Sequence, residues 1–157
     1  MKKNKGFSLI ELLIVVAIIL IIAAIAIPNL LRSRISANEA SAVGSLRSLN
    51  TVCVQYQASY GGFPPTLASL GPPAGGGAAT AAAADLIDSV LASGTKSGYT
   101  FTYAPTDADG NGTMDTYTIN ADPVTPGTTG QRYFFTDQST VVRANPSAKA
   151  TAADNPI

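Results

Sequence analysis

The sequence predicts an α+β architecture, a long N-terminal helix laid against a small antiparallel β-sheet head, on three observations. Residues 7–27 form a predominantly apolar run with a single charged residue, Glu11. Beyond Pro28 the apolar residues recur at helical spacing as far as Tyr60, and after Gly98 the period changes to the alternation of strands. The predicted organisation is a short leader, 1–6, a hydrophobic helix, 7–28, and a head, 29–157, that includes the amphipathic helix half 29–60.

At about 1.5 Å of rise per residue, the 21 residues from Phe7 to Ile27 span roughly 32 Å, the thickness of a bilayer's hydrocarbon core. Lys2, Lys3 and Lys5 precede the run, as the cytoplasmic flank of a membrane span does. An unpaired carboxylate within an apolar span is costly, so Glu11 calls for a partner. Ala24-Ile25-Ala26 has the small-x-small form of a cleaved secretory signal. Against that reading, the run exceeds the usual core of such a signal, an acid interrupts it, and a helical pattern continues beyond it.

Pro28 removes a backbone donor and is expected to kink or loosen the helix. Past it, Ile35, Ala42, Leu46, Leu49, Cys53, Tyr56 and Tyr60 recur at intervals of 7, 4, 3, 4, 3 and 4, an apolar stripe facing a core. Ser33, Arg34, Asn38, Ser41, Ser45, Ser48 and Gln55 fall largely off the stripe. Arg32, Arg34 and Glu39 read as charges at the membrane edge, touching headgroups, other copies or solvent. Gly61-Gly62 ends the helix ahead of Pro64-Pro65. Residues 61–79 read as a loop anchored by Phe63, Leu67 and Leu70. A short helix over Ala81 to Ala92, capped by Thr80 and stopped by Gly94, is expected next.

Residues 98–103, 115–120, 132–136 and 140–143 read as strands of a meander, with Asp137-Gln138-Ser139 turning between the last two. Residues 144–157, small, polar and proline-containing, read as a mobile surface tail.

Composition removes most chemistry. The chain has no histidine or tryptophan and one cysteine, Cys53, so Ser/His/Asp and Cys/His nucleophilic arrangements and the common metal sites cannot be built from it. Cys53 lies in the apolar stripe and reads as a small buried hydrophobe. Without the three leading lysines, seven basic residues face ten acidic ones, which argues against nucleic acid as a main ligand. One constellation has metal-ligand spacing: Asp107, Asp109, Asn111 and Asp115, with Gly112 permitting the turn, match the first part of a calcium loop. Thr118 stands where an EF-hand has its bidentate Glu. The same residues also read as a polar hairpin loop built on Asp-Gly and Asn-Gly turn chemistry.

Lys5-Gly6-Phe7-Ser8-Leu9-Ile10-Glu11-Leu12-Leu13-Ile14-Val15 resembles the class III signal of type IV pilins and type II secretion pseudopilins. The resemblance implies the pilin fold and cleavage between Gly6 and Phe7 by a membrane-embedded prepilin peptidase, with methylation of the new Phe7 amine. It also implies a single-pass protein of the bacterial inner membrane, handled by the pilus assembly machinery and drawn into an extracellular filament of identical copies. Phe7, Glu11 and Pro28 are then the assembly residues. Glu11 would pair with its own Phe7 amine or that of a neighbouring copy. A pseudopilin of type II secretion and a membrane-anchored calcium-binding module are the alternative readings.

Overall fold

The computed structural model describes residues 7–157; the expected leader, 1–6, with Gly6, lies outside the described residues. Helix α1 runs from Leu9 to Tyr60. A 3-10 turn, Leu67–Leu70, and a one-turn helix α2, Ser89–Ala92, follow. Six strands then complete the described fold: β1 Thr95–Lys96, β2 Tyr99–Thr106, β3 Thr116–Pro123, β4 Tyr133–Asp137, β5 Arg143–Asn145 and β6 Asn155–Pro156. They pair antiparallel in chain order, a simple meander. The architecture is the α+β one predicted. It divides into two units, one ending at Arg34 and the other running from Ile35 to Ile157.

In the first unit no described residue is buried, and only Ala23 is partly covered. Leu9 is 79% exposed and Ile27 66%. Such a surface is compatible with water only while something else covers it, and its length and composition suit a bilayer. The helix continues through Pro28 without a break. One missing N–H does not end a helix whose neighbouring turns stay bonded.

In the second unit the stripe of α1 is the floor of the core. Ala42, Leu46, Leu49, Cys53 and Tyr56 are buried against Tyr99 and Phe101 of β2, Tyr117, Ile119 and Ala121 of β3, and Phe134 of β4. The strands alternate as half-buried strands must: Tyr117, Ile119, Ala121 and Pro123 point inward, while Thr118, Asn120 and Asp122 do not. At the top of the stripe Tyr60 remains 41% exposed and packs on Tyr56, ring centroids 4.6 Å apart. Gly61 stops the helix at φ +84°, with its N–H on the Gln57 carbonyl, a geometry that favours glycine.

Three expectations fail. The helix over Ala81 to Ala92 shrinks to Ser89–Ala92, and its cap is Asp88, not Thr80. The backbone before it is already committed: Ala84, Asp85 and Leu86 donate to the carbonyls of Ser69, Gly71 and Leu70, and Thr80 bridges Ala83. Those bonds bring Ala84 into the core, which a helix in this alanine-rich stretch would not require.

The last predicted strand begins later than Thr140. Thr140 sits at φ +63° in the turn closed on Asp137, and β5 starts only at Arg143, which pairs with Phe135.

The tail is not loose. Residues 146–154 fold back over the outer face of the sheet, where Asn120 donates to the Ala150 carbonyl at 2.8 Å and Ala150 is buried. Arg143 donates to the Asp154 carbonyl, and Asp154 accepts from Asn145 and from the Thr151 N–H. This cover explains why Phe135, opposite Asn120 in the ladder, is buried although it faces away from α1.

Leu46→Ala, at a fully buried position, should lower the unfolding free energy by about 2–5 kcal/mol in urea melts of the detergent-solubilised chain, whereas Leu20→Ala should leave it nearly unchanged. Deleting residues 146–157 should depress the melting temperature and expose Phe135, detected as increased binding of a hydrophobic dye.

Candidate functional site

The N-terminus of α1 is built by its own residues. Ser8 precedes the first helical residue, and the Glu11 carboxylate reaches back to accept the Ser8 N–H at 2.9 Å. This is half of the reciprocal pattern in which a residue three places into a helix satisfies the N–H of the capping residue. Ser8-x-x-Glu11 is the sequence signal for it. Glu11 therefore already has a donor within its own helix end. The Phe7 nitrogen is here a peptide nitrogen, and Phe7 itself is 77% exposed. Pro28 lies within α1.

A second carboxylate on α1, Glu39, belongs to the interior and not to the membrane edge. It is 7% exposed. One oxygen accepts the N–H groups of Gln131 and Arg132 at 2.9 and 3.1 Å, and the other takes the Arg132 Nε at 2.8 Å. Burial pushes this carboxyl up, but the Gln131 N–H and the Arg132 contacts together outweigh it and hold Glu39 below its ordinary value. Beside it Asn38 donates to the Thr129 carbonyl at 2.8 Å. Arg132 lies over the Phe134 ring, and Tyr99 donates to the Arg132 carbonyl. The segment between β3 and β4 is thus strapped across α1.

Asn50 does similar work deeper in the core. Its amide nitrogen donates to Thr136 Oγ1 and the Thr140 carbonyl, and its oxygen accepts from the Tyr117 hydroxyl. These contacts tie α1, β3, β4 and the turn after β4 at one point. Both residues were readable from spacing. Glu39 falls four after Ile35 and three before Ala42, and Asn50 four after Leu46 and three before Cys53. Cys53 is fully buried, and burial pushes its thiol up to about 12, consistent with an inert packing residue.

The 107–115 loop closes the hairpin between β2 and β3. Asp107 accepts the Gly110 and Gly112 N–H groups, each at 2.8 Å, and Asp115 accepts that of Ala108. Asp109 accepts the Asn111 N–H and its side-chain amide, and Asn111 Oδ1 accepts the Thr113 N–H. The Gly112 N–H, with help from Gly110, holds Asp107 below the usual carboxylate range. Asp107, Asp109 and Asp115 each place a carboxylate oxygen within 4.8 Å of the others. Thr118 lies in β3, paired with Ala104 and Asp137. The loop is thus closed by main-chain donors on side-chain acceptors, the turn chemistry of Asx-rich loops.

Comparison with known proteins adds to the N-terminal part. The family model described as the prokaryotic N-terminal methylation motif matches residues 1–27. The chain is 48% identical over 60 residues to the type IV wide pilus major component of Thermus thermophilus, 38% of this chain and 43% of that relative. It is 51% identical over 49 residues to the type IV major pilin of Myxococcus xanthus, 31% of this chain and 22% of that relative. The chain thus spans less than half the length of either relative. No solved structure gives a significant match.

Because Glu39 is held below its ordinary value in the fold, its contribution to stability is complete above the unfolded carboxyl's range and is lost as pH falls through the folded one. Glu39→Gln should lower the melting temperature at neutral pH and flatten its decline below about pH 4. Thermal melts of the two chains across acid pH check both parts.

Proposed function

We propose that this chain is a type IV prepilin, processed after Gly6 and polymerised through α1 into a pilus filament, with a structural and not a catalytic role. One observation carries the reading. The residues matched by the methylation motif, 1–27, run through the stretch of α1 in which nothing described is buried. A processing signal thereby coincides with an apolar surface that needs lipid before assembly and other copies afterwards. Both relatives are major pilins by name, which favours a pilus over the pseudopilus of type II secretion.

The mechanism follows from the chemistry of the helix end. Prepilin peptidase cuts on the cytoplasmic side and converts the Phe7 peptide nitrogen into an amine, whose charge methylation preserves. Glu11 sits one turn along the helix, about 6 Å of axial rise away, close enough for its carboxylate to exchange the Ser8 N–H for that cation or a neighbour's. An unpaired carboxylate in an apolar bundle is strongly unfavourable, so pairing fixes the axial register of each incoming helix. The subunit is a single-pass inner-membrane protein until the assembly machinery extracts it into the extracellular filament.

A second reading concerns only the loop. The convergence of Asp107, Asp109 and Asp115 favours a calcium ion held there with Asn111. On that reading millimolar calcium raises the melting temperature over that in chelator, and Asp107→Ala abolishes the difference. Identical melts would dismiss it.

In a host carrying a pilus system, Glu11→Ala should be cleaved normally, seen as the mature mass, and yield no filaments by electron microscopy. Normal filaments from that variant would refute docking through Glu11. Replacing Gly6 with a bulky residue should instead leave the precursor uncut in the membrane.

A further inference from the structure

We propose that Asn111-Gly112 is a self-modification site, at which the Asn111 side-chain amide is lost by attack of the Gly112 backbone nitrogen. The inference is independent of the assembly reading. It rests on how the loop arranges the reacting atoms.

The Thr113 N–H bonded to Asn111 Oδ1, at 2.7 Å, spans Gly112 and folds the side-chain amide back over the intervening peptide. The same N–H sits on the oxygen that gains negative charge when the amide carbon is attacked. On the other side Asp109 Oδ2 accepts from the Asn111 amide nitrogen at 2.8 Å, so a carboxylate faces the nitrogen as it takes up the proton with which it leaves. The Gly112 N–H bonds to Asp107 Oδ2 at 2.8 Å, which polarises it, and hydroxide of an alkaline medium takes the proton. Gly112 is at φ +87°, and the space where a Cβ would stand holds no atom within 4 Å, so ring closure meets no side-chain obstacle there. Asn111 and Gly112 are both exposed, which admits water.

The step balances without an added oxidant or reductant. Gly112 nitrogen gives up its proton and bonds to the Asn111 side-chain carbon. The bond from that carbon to Nδ2 breaks, and Nδ2 departs as ammonia carrying the proton. The resulting succinimide takes up one water at either carbonyl, giving aspartate or isoaspartate at position 111. The product adds one negative charge beside Asp107, Asp109 and Asp115.

Trypsin yields one peptide, residues 97–132, that contains both Asn111 and a control, Asn120, which is followed by alanine and held by its bond to the Ala150 carbonyl. The full-length chain in detergent micelles is held in warm, mildly alkaline buffer, and that peptide is followed by mass spectrometry, with released ammonia measured in parallel. Asn111 should convert at least about tenfold faster than Asn120. Asn111→Gln should remove the fast phase. Asp109→Ala and Thr113→Pro should each slow it several-fold while circular dichroism of the head is unchanged. Conversion at Asn111 no faster than at Asn120 would overturn the site. An unchanged rate in Asp109→Ala would overturn the assigned arrangement, and that variant keeps the test valid if Thr113→Pro distorts the loop.

Discussion

The head depends on one line of contact, the stripe of α1 that runs from Ala42 to Tyr56 beneath the inward residues of β2, β3 and β4. A six-stranded meander with two-residue strands at both ends has little to hold it without a face to pack on. Helix and sheet are each other's solvent shield. Leu46, Leu49 and Cys53 are fully removed from water only because Tyr99, Ile119 and Phe134 are, and the reverse holds equally.

Apolar burial alone is non-directional, and here polar contacts choose the register. Asn50 spends its amide on Thr136, Thr140 and Tyr117, so sliding α1 along the sheet would strand several buried donors and acceptors at once. Glu39 acts at the other end of the stripe, where a displaced strap would leave its carboxylate without three donors. Two side chains on one helix thereby index the sheet at separate points.

What the sequence disclosed follows from which interactions are local. The helix stripe, the Gly61 stop and the alternation of β2 and β3 are set by neighbours a few residues apart, and all were legible. The stretch over residues 81–88 was not, because alanine-rich sequence favours helix locally while its N–H groups are claimed by carbonyls of residues 69–71. The C-terminal arm misled for a related reason. Its order comes from Asn120 and Arg143, residues of other strands, and its own composition carries no trace of them. Glu39 carries the spacing signal of the stripe but not a burial signal in its residue type, because the donors that neutralise it, on Gln131 and Arg132, lie some 90 residues away. Glu11 was legible as a carboxylate needing a donor, while its bond to the Ser8 N–H required the helix start to be located.

The outermost strands have a consequence for how copies of this chain meet. β1 ends the sheet after two residues, one of them Lys96, and β6 ends it after two, one of them Pro156, which has no N–H to offer. Neither margin is a template for a further strand. Heads brought side by side would therefore be protected from zipping into a continuous cross-strand ribbon, and any contact between them would run through side chains.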